Sequence, residues 1–166
     1  MKIDLSALEA NNKIKQFCEL LHKLNKTIDN FTCNFNCTAS LGSDFCYISN
    51  YNLIYYSLSP TSNNDTFYNF INSNFPNTNI DIFMWSLLHE IGHKITENRF
   101  NDEDWEEYNH YISHWNEKGL SDDIYYNLPI EYAATSWAAN YIKDHTEEII
   151  TLWENISNII AEINQL

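Results

Sequence analysis

Two histidines four residues apart, His89 and His93, sit inside an apolar helical stripe, and nothing else in the chain constrains its fold as tightly. Ile80, Met84, Leu87, Leu88, Ile91 and Ile95 recur at the spacing of one helix face, so the segment from Ile80 reads as a helix with a buried side. Side chains four apart leave a helix on the same side, about one turn from each other. Two neutral imidazoles so placed can meet one tetrahedral zinc ion at about 2.0–2.1 Å. The plainer alternative is a pair of surface histidines on a core helix.

The intervening residues favour the metal. Glu90 follows His89 directly and need not be a ligand; it is placed to take a proton from an attacking water as general base and to hand it to a leaving amine. Gly92 costs about 1 kcal/mol in a helix interior, and its lack of a side chain would permit close backbone approach. A peptidase zinc site needs a third protein ligand and one open position. In a metzincin, Gly and His would follow at positions 96 and 99; Thr96 and Arg99 exclude that class. Glu131 is the candidate, in the first turn of a helix beginning Leu128-Pro129-Ile130-Glu131. Ala134 and Ala138 follow it on the same face, small enough for this helix to pack tightly on the histidine helix. An acidic first-turn residue is also favoured by the helix dipole alone. His110, His114 and the acidic residues 102 to 107 are the other sources of a third ligand.

His89-Glu90-Ile91-Gly92-His93, followed by a helix with Glu131, Ala134, Trp137 and Ala138, resembles the ImmA/IrrE-type metallopeptidases, which belong to the gluzincins. The likeness spans about residues 80–140. It implies His89, His93 and Glu131 as zinc ligands, Glu90 as general base, a zincin-like fold, a protein or peptide substrate, and an origin in phage, mobile elements or their hosts. In similar peptidases a His or Tyr stabilises the developing oxyanion. His110, His114, Tyr125, Tyr126 and Tyr132 are candidates for that role.

The remaining sequence suggests an α+β domain, with residues 1–166 forming one domain. Residues 4 to 25 read as an amphipathic helix, with Leu5, Leu8, Ile14, Phe17, Leu20, Leu21 and Leu24 near helical spacing. Alternation from Phe31 to Thr38 reads as a half-buried strand with Cys33 and Cys37 inward, as core residues. Phe45–Ser49 and Leu53–Leu58 read as two more strands, in a mainly antiparallel three-stranded meander. By analogy with zincins, Leu53–Leu58 is the expected edge strand along a substrate cleft. A short helix is expected over Thr66–Asn74. Three more should follow: one from about residue 102 closed by Gly119, one capped by Asn127, and a last from Glu147 to Gln165.

A formal charge of −14 disfavours nucleic acid and anionic membrane and suits a basic protein partner. Met1-Lys2-Ile3-Asp4-Leu5 has no signal-peptide core, no segment approaches a membrane span, and the four cysteines form no CxxC pair; a cytoplasmic setting is expected. The rival to an enzyme is a non-catalytic phage or mobile-element interaction protein that keeps the zinc-binding scaffold.

Overall fold

A computed structural model of the chain describes residues 12–24 in part, 28, 34–37, 45–56, 65–75, 79–114, 122–163 and 165. The chain is α+β and mostly helical. It forms two compact units, Met1–Pro60 with Glu147–Leu166, and Thr61–Thr146.

In the first unit, the described positions of residues 12–24 are helical and bury Phe17, Leu21 and Leu24, three members of the expected apolar face. Leu5, Leu8 and Ile14 lie outside the described residues. Among the described residues three short strands follow: β1 (Asn34–Cys37), β2 (Phe45–Ile48) and β3 (Leu53–Tyr56). β2 and β3 pair antiparallel, with Tyr47 opposite Ile54, through a 3-10 turn at Ser49–Tyr51. Asn52 ends that turn at φ 48°, a left-handed conformation that Asn tolerates better than most residues. β1 lies on the other side of β3 and runs parallel to it, giving the order β1-β3-β2.

The expected meander is therefore not formed. Short connections suggested neighbouring strands, yet residues 38–44 are enough chain to cross two strand spacings of about 4.8 Å each. β3 is consequently the central strand, with fully buried Ile54 at its middle and no edge free for an extended peptide. This overturns Leu53–Leu58 as a substrate-binding edge. Cys33 lies outside the described residues, as do the side chains of β1. Cys46, in β2, is half-buried, and its thiol donates to the Tyr47 carbonyl at 3.7 Å. The last helix of this unit, which we label α6 (Thr146–Ile163), buries Ile149 and Ile156 one face apart from its exposed glutamates.

The second unit is helical: α1 (Asp65–Asn74), α2 (Ile82–Thr96), α3 (Asp102–Ser113), α4 (Asp122–Tyr126) and α5 (Pro129–Asp144). α2 starts where Asp81 accepts a hydrogen bond from the Phe83 amide at 2.8 Å. Every residue from Phe83 to His89 is buried, so the expected stripe widens into an enclosed helix. α3 opens with a capping box in which Asn101 and Asp104 satisfy each other's backbone amides. It ends at Ser113, well before Gly119, which lies outside the described residues. Leu128, not Asn127, is the N-cap of α5; no side chain caps it, and Pro129 takes the first-turn position where a missing N–H costs nothing. The turn of helix α4 was not apparent in the sequence. No helix among the described residues is long and apolar enough to cross a membrane.

Candidate metal centre

α2 and α5 touch backbone to backbone. A Cβ on Gly92 would overlap the Ala134 carbonyl and stand 2.9 Å from the Ala134 Cα. Ala134 and Ala138 are fully buried, as small residues on a close-packed helix face should be. This closeness brings the first turn of α5 alongside His89 and His93. Glu131 is completely buried there.

Three ligand-type atoms converge. His89 Nε2 lies 3.0 Å from Glu131 Oε2 and 3.1 Å from His93 Nε2, and His93 Nε2 lies 3.4 Å from the same carboxylate oxygen. Donors about 2.05 Å from a tetrahedral zinc stand about 3.3 Å apart. The triangle has that size.

Its chemistry points the same way. Thr135 Oγ1 donates to the Glu131 carbonyl at 3.0 Å, so its hydroxyl proton is spent, and toward His89 Nδ1, also at 3.0 Å, it acts as acceptor. The Nδ1 of His89 therefore carries a proton. When that ring is neutral, its Nε2 lone pair faces a carboxylate oxygen and a second imidazole nitrogen. Such a cluster needs positive charge at its centre. Protons on the rings supply some; a single cation can meet all three atoms at once. Among the described residues, His89, His93 and Glu131 are the one group with metal-site spacing.

Electrostatics follow this geometry. Burial alone would lower the pKa of His93, but the charge of Glu131, its hydrogen bond, and then the charge of Glu90 outweigh it and raise His93 to about 9. Burial pushes the Glu131 carboxyl up, and the charge of His93 and the hydrogen bonds of both imidazoles more than reverse this, holding it well below the carboxylate range. Glu90 is half-buried and follows His89 directly on α2, close enough for its charge to act on both His93 and Tyr108.

The other oxygen of Glu131 is occupied as well. Tyr108 of α3 and Tyr125 of α4 both donate to Oε1, at 2.8 and 2.6 Å, and their own oxygens are 3.4 Å apart. Burial first, then the nearby Glu131 charge, raises both phenols far above the usual tyrosine range, so they remain donors. An aromatic wall closes the α1 side, where Phe67 meets the His89 ring edge-on at 5.2 Å and Tyr126 stacks on Phe70.

No protein-family model, curated protein or solved structure matches the chain.

The residues singled out in the sequence separate cleanly. His89, His93 and Glu131 come together, and Glu90 shares helix α2 with the two histidines. Tyr125 reaches the cluster, but its hydroxyl is engaged by Glu131. Tyr126 packs among Phe67, Phe70 and His89; Tyr132 is largely exposed and packs on Phe70 and Phe75. His110 is exposed and His114 half-exposed, the two rings lying against each other, with His114 Nδ1 held by the His110 carbonyl. Neither belongs to the cluster. Asp102 and Asp104 serve the start of α3. Two participants, Thr135 and Tyr108, were missed. Thr135 stands four residues after Glu131 on one helix face, a spacing that could have flagged it. Tyr108 had no such signal, since nothing in its own segment says which way α3 faces.

Proposed function

We propose that this chain is a zinc-dependent metallopeptidase with a zincin-like site, acting in the cytoplasm on a protein or peptide, in the manner of the ImmA/IrrE-type enzymes it resembles. The observation carrying this reading is the convergence of His89, His93 and Glu131, on two helices locked by Gly92 and Ala134, with Glu90 next to His89 in the same helix.

Zinc in such a site polarises the scissile carbonyl and makes water acidic enough to be deprotonated near neutral pH. The chain supplies the rest. His89 and His93 offer Nε2 and Glu131 offers Oε2. Thr135 fixes the tautomer and direction of His89. Glu90 accepts the proton of the attacking water and delivers it to the departing amine, a role contributing about 10²–10⁴-fold in rate. The formal charge of −14 favours cationic substrates.

Protein purified without added metal should carry about one zinc per chain, lost in Glu131→Ala. With a panel of unfolded, lysine-rich proteins as substrates, Glu90→Gln should retain zinc and lose cleavage. Cleavage by that variant at the wild-type rate would remove Glu90 as base. The acidic surface also supports a non-catalytic, partner-holding protein; a stable partner recovered uncut, and equally by Glu90→Gln, would establish that reading instead.

A further inference from the structure

Glu131 is a completely buried carboxylate whose two oxygens face different groups: Oε2 faces the imidazoles of His89 and His93, and Oε1 accepts from two phenols. The phenols reach it from separate elements, Tyr108 from the middle of α3 and Tyr125 from α4, so their meeting on one oxygen is a product of tertiary packing. A carboxylate is free to offer a cation either one oxygen or both. Rotation about its last bond, with a shift of a few tenths of an ångström, converts one mode into the other. Two charge-assisted hydrogen bonds on Oε1 oppose that rotation and draw electron density from the oxygen they hold.

We propose that Tyr108 and Tyr125 are positioning residues that keep Oε1 of Glu131 away from a bound cation, so that Glu131 is a one-oxygen ligand and the fourth coordination position stays open for water or substrate. This rests on the metal-site reading above. Two hydrogen bonds to the unused oxygen do for the carboxylate what Thr135 does for His89: each ligand is aimed from behind by a group that never meets the metal. Tyr125, engaged in this way, steadies the ligand and is not free to serve a developing oxyanion.

The test uses the full-length chain, with Tyr108→Phe and Tyr125→Phe made singly and their folding checked by far-ultraviolet circular dichroism. Zinc affinity is measured by chelator competition, and coordination by the visible absorption of the cobalt(II)-substituted protein. Wild-type protein should bind one cobalt with the intense bands of a four-coordinate site. Each variant should bind zinc about 10–100-fold more weakly, and its cobalt bands should weaken as a second carboxylate oxygen enters. Wild-type affinity and an unchanged spectrum in both folded variants would overturn the proposal and leave the metal site standing; a wild-type protein that binds neither metal would overturn both. Zinc X-ray absorption on the unmodified protein decides the matter even if the variants misfold. One carboxylate oxygen at about 2.0 Å is expected, and two would refute the inference.

Discussion

Gly92 and Ala134 are in backbone contact, and the spacing of the two helices that carry the candidate ligands is set at that point. Gly92→Ala would gain about 1 kcal/mol of helix propensity but would drive a methyl group into a main-chain carbonyl that no rotamer change can move. Overpacking of this kind costs about 1–3 kcal/mol or more. The expected net result is a lower melting temperature and a larger relative loss in zinc affinity, because Glu131 retreats from both histidines. A variant with unchanged zinc affinity would show that the crossing does not set the site.

Thr135→Val keeps the side chain's shape and removes the acceptor of the His89 Nδ1 proton. A buried donor left unpaired costs about 1–3 kcal/mol, and loss of such an orienting contact typically weakens metal binding about 10–100-fold. Chemical denaturation and chelator competition read the two effects separately. Thr135→Ser, which restores the hydroxyl, should recover most of the affinity.

The raised pKa of His93 makes a signed prediction. Its folded value of about 9 exceeds the ordinary 6.5. The metal-free protein therefore gains stability fully present below pH 6.5 and lost as the pH rises through 9, on the order of 3 kcal/mol. Glu131 acts at the other end, its contribution present above pH 4.5 and lost in acid. Zinc must displace the His93 proton, so affinity should rise with pH by about tenfold per unit until near 9. Calorimetric titration at pH 7.5 in buffers of different ionisation enthalpy should detect about one proton released per zinc.

His110 and His114 repeat the spacing of the ligand pair on a different helix, yet they face solvent and each other. Alanine at both should leave zinc content unchanged and alter stability by no more than about 0.5 kcal/mol. Loss of zinc in that variant would return them to the list of ligands.

Most of the helical half of the molecule, though not α4 or the end of α3, was readable because its signals are local. The stripe through Met84, Leu87, Leu88 and Ile91, the acidic start of α3 and Pro129 each fix an element within a few residues. Gly92, Ala134 and Ala138 forecast a close crossing because the absence of side chains at matched faces has few other uses. Strand order was not local: Asn34–Cys37 pairs directly with Leu53–Tyr56 although β2 lies between them in sequence, and no residue in either announces it. The same limit hid Tyr108. A phenol on a half-exposed helix has no preferred partner until the helix is turned toward Glu131.

Helix α5 carries Glu131 and Thr135 on one face, four residues apart, and so grips the cluster at two points. Sliding it by one residue, about 1.5 Å with a turn of about 100°, would withdraw the carboxylate and the hydroxyl together. The site should therefore fail as a unit: paired substitutions at Gly92 and Thr135 ought to cost less than the sum of their separate effects.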